Sequence, residues 1–145
     1  MRVLLSLAIA LFGAAAMSGQ APAQARAATA AATSSDPVFG TWTNPRRTIA
    51  VKTAPCGTAL CGAIVAASAE AQNDAREAGV EHLVGTELLR AYRKTGSNSW
   101  SGTVFVPDMA RSFASHIVQR SPDMLRISGC ILGGLICKSQ DWTRL

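Results

Sequence analysis

Ser99-Trp100-Ser101-Gly102-Thr103-Val104-Phe105-Val106 is followed by Pro107-Asp108, and Arg111-Ser112-Phe113-Ala114-Ser115-His116-Ile117-Val118-Gln119-Arg120 by Ser121-Pro122-Asp123. Met124 to Cys130 then continues the series. Three short segments rich in β-branched and aromatic residues, separated by two Pro-Asp turns, predict consecutive antiparallel strands joined by tight turns. In the first of them Trp100, Gly102, Val104 and Val106 share one side.

The same texture extends in both directions. Upstream, strands are expected over 38–43, 48–54, 61–67 and 86–94. Asn44-Pro45-Arg46, the segment from Pro55 to Leu60, and Thr95-Gly96-Ser97-Asn98 supply turns. In the second strand Ile49, Val51 and Thr53 alternate with Ala50 and Lys52. Downstream, 139–145 makes an eighth strand. Residues 70–79 break the pattern: their alanines, glutamates and arginine are good helix formers, and Gly79 is a stop. A short surface helix or an ordered loop is expected there, with only alanine on its apolar face. The chain is thus expected to be all-β. Eight short strands suit a small antiparallel up-and-down barrel, which leaves no open sheet edge. A sandwich has the same periodicity and is the alternative.

The first segment is read apart from the fold. Met1-Arg2 is a basic start, Val3 to Ala16 is apolar and uncharged, and Ala23-Gln24-Ala25 and Ala25-Arg26-Ala27 fit small-x-small cleavage. Residues 1–27 are expected to be a secretory signal peptide, because the apolar run is shorter than the roughly 20 residues that span a bilayer. Residues 28–36, small and nearly uncharged, are expected to be a flexible linker, and 37–145 a single domain. The expected location is the periplasm or the exterior, with no transmembrane segment in the mature chain. Loss of Arg2 and Arg26 lowers the formal net charge from +5 to +3. The remaining cations are scattered rather than striped, so no nucleic-acid partner is expected.

Four cysteines in an exported chain favour disulfides. Cys56 with Cys61 and Cys130 with Cys137 each bracket a Gly-containing turn, so local closure is the expected pairing. Such loops contribute roughly 2–2.5 kcal/mol each in the chain-entropy model, against about 4.4 for a long link such as Cys61–Cys130. Stability therefore favours the long link and proximity the short ones. Zinc spacing fits the second pair poorly, and no Cys-x-x-Cys redox motif occurs, so no metal is expected.

No catalytic constellation stands out. His116, Ser112, Ser115 and Asp108 invite a triad reading, but no nucleophile elbow is present. Glu81, Glu87, Asp108 and Asp123 all lie near turns, and nothing pairs two of them for glycoside hydrolysis. Phosphate-loop and dinucleotide fingerprints are absent, so no cofactor is expected. Candidate ligand-binding residues are His116, on a strand face with Ala114 and Val118, and Tyr92 and Trp100, which flank one turn. For each of them core packing or a satisfied rim position is the competing account.

Gly40-Thr41-Trp42 resembles the Gly-x-Trp opening of lipocalins, in which the tryptophan plugs one barrel end and a late arginine lies across its ring. Arg144, in Trp142-Thr143-Arg144, fills that place, so Gly40, Trp42, Trp142 and Arg144 are expected to be structural. Taken with both cysteine elements, Leu83-Val84-Gly85-Thr86 and the Trp100-to-Asp108 stretch, the chain from Pro37 to Leu145 resembles a bacterial exported family, domain of unknown function 2147. Phe105 stands where that family tends to carry tyrosine, and 68–80 is alanine-rich where members carry a polar loop. The resemblance implies a lipocalin-like barrel outside the cytoplasm and carries over no catalytic residues. Two functions follow as expectations. One is a barrel that holds a small apolar or amphipathic ligand, for which Ala50, Ala63, Ala91, Gly102 and Ala114 would leave room. The other is a non-enzymatic structural or interaction module of the cell envelope, whose partner meets the uncharged Gly-rich loop at 129–137.

Overall fold

A computed structural model of the chain describes residues 36–145. The signal peptide expected over 1–27, and 28–35 of the expected linker, lie outside the described residues. Asp36 already belongs to the fold. Its carboxylate accepts from the Val38 amide at 3.3 Å and lies 3.6 Å from Lys94 Nζ.

Eight strands form: β1 (Gly40–Thr43), β2 (Ile49–Cys56), β3 (Ala59–Ala67), β4 (Glu87–Gly96), β5 (Ser99–Val106), β6 (Arg111–Ser121), β7 (Met124–Ile131) and β8 (Ile136–Arg144). Each pairs with the next, and β8 returns to β1, giving a closed antiparallel up-and-down barrel. The turn residues act as their chemistry demands. Asn44 Oδ1 accepts from the Thr48 amide at 2.8 Å, which folds the β1–β2 connection, and Gly57 takes a positive φ of 64° between β2 and β3. β1, β3 and β8 begin two or more residues from their expected starts. β1 starts at Gly40 because Pro37 and Val38 form a turn on Asp36, closed by Phe39 N donating to Asp36 O at 2.9 Å. β3 starts at Ala59, because the ladder with β2 runs on to Cys56↔Ala59. β8 starts at Ile136, because the ladder with β7 runs on through Cys130↔Cys137 to Ile131↔Ile136.

Both disulfides are local, Cys56–Cys61 and Cys130–Cys137. In each case the two cysteines flank the turn that brings them together, so proximity decides the pairing.

Closure is uneven along the seam. β1 meets β8 through Trp42↔Arg144 and Thr43↔Thr143, while among the described residues Ile136 to Asp141 pair with β7 alone. The barrel therefore has a tight end and a loose end. At the tight end are the β2–β3, β4–β5 and β6–β7 turns. There Trp42, Leu60, Tyr92, Trp100, Ile117 and Leu125 are all buried in one cluster. At the loose end are the β1–β2 turn, the helix-bearing β3–β4 connection, a 3₁₀ turn at Pro107–Met109, and the β7–β8 tip with its 3₁₀ turn at Leu132–Gly134.

The break over 70–79 is a helix, α1 (Ala69–Glu77), whose N-cap Ser68 accepts from the Ala71 amide at 3.1 Å. It is more than a surface feature. Ala75 is fully buried, Ala71 packs on the core cluster, and the helix lies against the Pro107–Met109 turn. Alanine has little area to bury, but its small size lets the helix come close to the barrel end.

Candidate functional site

Inward-facing positions of a small barrel are usually filled by side chains, and the tight end follows that rule. Trp42 Nε1 donates to the Val38 carbonyl at 3.1 Å and to Thr53 Oγ1 at 3.2 Å, and Thr53 Oγ1 donates to Val38 O at 2.7 Å. Every polar atom of the plug therefore has a partner. The Arg144 guanidinium carbon lies 4.1 Å from the Trp42 ring centre, and its nitrogens donate to the carbonyls of Phe39 (3.1 Å), Pro122 (2.8 and 2.9 Å) and Pro37. Gly40 has a positive φ of 152°, and a Cβ there would run into the Arg144 guanidinium, so glycine stands there.

At the loose end the interior is not filled. A cavity of about 650 Å³ opens there. Leu83, Leu88, Val104, Phe113, Ile127 and Trp142 make its apolar wall. Ile131, Ile136 and Met109 line it nearer the mouth, and Gly129 opens onto it. Its polar groups are few: Asn44, Thr48 and Gln140, with the ions Arg46, Lys138, Asp74 and Asp108. Gln140 Oε1 accepts from Trp142 Nε1 at 3.2 Å, so the indole keeps its partner inside an apolar wall. An apolar cavity with a handful of convergent polar groups is the usual form of a small-molecule site.

The sequence-derived ligand residues do not line this cavity. His116 points outward: it is exposed, and its Nδ1 lies 2.8 Å from Ser101 Oγ on the outer face. Inside β6, Ser115, Ile117 and Gln119 face the core instead. Tyr92 and Trp100 point inward but belong to the packed end. Burial pushes the Tyr92 hydroxyl up to about 12. Ser115, whose own proton goes to Ser128 O at 2.8 Å, opposes that rise, and by hydrogen-bond geometry Tyr92 Oη has no partner among the described residues. Of the small residues expected to leave room, Ala91 and Ala114 are exposed, and the space beside Gly102 holds Tyr92. Trp142 was expected to be structural and is also a wall of the cavity.

Sequence reasoning missed Leu88, Phe113, Ile127 and Lys138. Their signal was position along the strand: Leu88, Phe113 and Lys138 occupy the strand halves nearest the loose-end connections, and Ile127 sits mid-strand in β7. The uncharged loop at 129–137 does not fold over the barrel to complete the core, and Leu135 is 85% exposed.

Fold and cavity together define a lipocalin-like barrel. The family model described as an uncharacterized protein conserved in bacteria (DUF2147) matches residues 40–144, and the chain belongs to that family. No curated protein sequence matches the chain. Among solved structures it is similar to protein HP1028 from Helicobacter pylori, described as belonging to the lipocalin family. That likeness has 14% sequence identity and a TM-score of 0.60, and covers 74% of this chain and 82% of the other. At that identity it speaks to fold alone.

Proposed function

We propose that this protein is an exported barrel that binds a small apolar or amphipathic molecule in the loose-end cavity. The observation that carries this reading is the contrast between the two ends. One is packed around Trp42, while the other leaves about 650 Å³ walled by apolar side chains. That volume lies within the roughly 300–1,000 Å³ of small-molecule pockets. The apolar wall favours a hydrocarbon or ring system, and Asn44, Thr48, Gln140 and Lys138 offer partners to a polar end. Export rests on the apolar, cleavable start of the chain and on two disulfides, which form and persist in oxidising compartments.

Native mass spectrometry of the protein recovered gently from its host's envelope fraction, followed by denaturing mass, tests the reading. An added mass that disappears on denaturation supports it. Gly129→Leu is the matching variant. A Cβ there meets nothing closer than Val104 Cγ1 at 3.5 Å, so the leucine projects into the cavity without disturbing the backbone. Loss of the bound mass in this variant ties the ligand to the cavity. A bare mass in the parent protein, or a bound mass that Gly129→Leu leaves untouched, overturns it.

A further inference from the structure

The β7–β8 hairpin ends in a tip that holds apolar side chains in water by construction. Gly133 and Gly134 adopt left-handed backbone, with φ of 65° and 97°, so the chain reverses tightly there. Cys130 and Cys137, directly opposite each other across the ladder, staple the hairpin below that reversal. The tip therefore cannot fold back to bury Leu135, which is 85% exposed, or Ile136, which is 47% exposed. Met109, on the neighbouring connection, is 49% exposed and lines the same mouth as Ile136.

Cations line the mouth beside this tip or adjoin it in sequence. Arg46 and Lys138 line the mouth, with Arg47 adjoining the first and Arg111 two residues from Met109. All four are exposed, and among the described residues none of them makes a salt bridge. Asp74 and Asp108 share the mouth and weaken its field. The apolar tip thus supplies the contact, and the cations set its preference for negative charge. Protruding apolar side chains flanked by free lysine and arginine are the elements of interfacial binding to anionic lipid.

We infer that the β7–β8 tip docks on an anionic phospholipid surface, with Leu135, Ile136 and Met109 entering the headgroup region and Arg46, Arg47, Arg111 and Lys138 meeting the phosphates. A second copy of the chain is the poorer occupant. Symmetric contact would set these four cations against their own copies, and a few side chains on a convex tip fall far short of the ~1,200 Å² that a stable interface buries. The inference does not rest on the cavity holding a ligand.

Residues 36–145 close around their own core, so the barrel is tested as that unit, free of the apolar run from Val3 to Ala16. It is mixed with vesicles of phosphatidylglycerol and phosphatidylcholine in equal parts, or of phosphatidylcholine alone, and the bound fraction is read by co-sedimentation. Binding is expected on the anionic vesicles and to fall as salt rises. Each of Arg46→Gln and Lys138→Gln lowers it by about fivefold, since one basic residue near such a surface is worth about that factor. Leu135→Ser with Ile136→Ser abolishes it, with unfolding midpoint and disulfides unchanged. Gly129→Leu leaves vesicle binding intact, so failure of the cavity reading shows separately. Three results each overturn the inference. One is equal or absent binding on both vesicle types. Another is full binding by the double serine variant, which would mean adsorption by net charge alone. The third is a dimer in gel filtration that needs Leu135 and Ile136 while vesicles are ignored.

Discussion

Tyr92 occupies the space that a side chain on Gly102 would need. A Cβ at position 102 would lie 2.7 Å from Tyr92 Cγ and 2.8 Å from both Tyr92 Cα and Arg90 O. Two of these three atoms are backbone, so the neighbouring strand itself must move before anything larger than hydrogen fits. Gly102→Ala is therefore expected to lower the unfolding free energy by about 3 kcal/mol, at the upper end of overpacking costs. Gly129→Ala, whose Cβ meets only Val104 Cγ1 at 3.5 Å, is expected to change it by less than about 0.5 kcal/mol. Urea unfolding of the two variants checks the order. Equal losses would mean that the tight end yields more easily than its contacts imply.

Tyr92 is the sole tyrosine of the chain, so its ionisation can be followed at 295 nm without ambiguity. Desolvation by burial raises it from an ordinary 10.0 to about 12. The folded state therefore keeps the proton where the unfolded chain has released it. The associated stability is complete below pH 10 and is lost as pH climbs towards 12, by about 2.7 kcal/mol at 1.36 kcal/mol per unit. Tyr92→Phe removes that alkaline loss. At neutral pH it is expected to be neutral or to stabilise by about 1 kcal/mol, because the hydroxyl it deletes is buried without a hydrogen-bond partner among the described residues. A native tyrosinate midpoint near 10 would show the ring to be wet.

How far the fold could be read ahead depended on where the signal lay. Pro-Asp, Asn-Pro and Gly-Ser turn chemistry sets the strand count, and the short loops set the disulfide pairing, because both are local. Which face of a strand turns inward is not local. In β6 the outward row contains Ala114, His116 and Val118, while the inward row contains Ser115, Ile117 and Gln119. Neither row is the more apolar by composition, and so His116 reads as a cavity residue although it stands in solvent. The cavity itself depends on which end of the barrel the helix and the short β1–β8 seam leave open. That follows from closure rather than from any one segment. Alanine misleads in the same way: Ala75 buries little surface, yet it lets α1 settle on the Pro107–Met109 turn.

Arg144 closes the seam by stacking and carbonyl capture more than by charge. Its guanidinium lies 4.1 Å from the Trp42 ring centre and donates to the carbonyls of Phe39, Pro122 and Pro37. Its ionic partner, Asp123, is 3.5 Å away but 81% exposed, so solvent screens that pair. The stack is worth about 0.5–2 kcal/mol. Each neutral carbonyl contact is worth about 1 kcal/mol, less where water replaces the donor. Arg144→Ala is therefore expected to cost about 2–3 kcal/mol. Arg144→Lys keeps the charge and recovers less than half of that, since an ammonium has no planar fork to span three carbonyls while lying flat on an indole. Asp123→Asn is expected to cost less than about 0.5 kcal/mol. Because β1 meets β8 through Trp42↔Arg144 and Thr43↔Thr143, the loss also has a location. Hydrogen exchange in Arg144→Ala should quicken first at Gly40–Thr43 and at the end of β8, ahead of β5 and β6. Were Asp123→Asn to cost as much as Arg144→Lys, the latch would be an ion pair, and the Trp42 ring merely its neighbour.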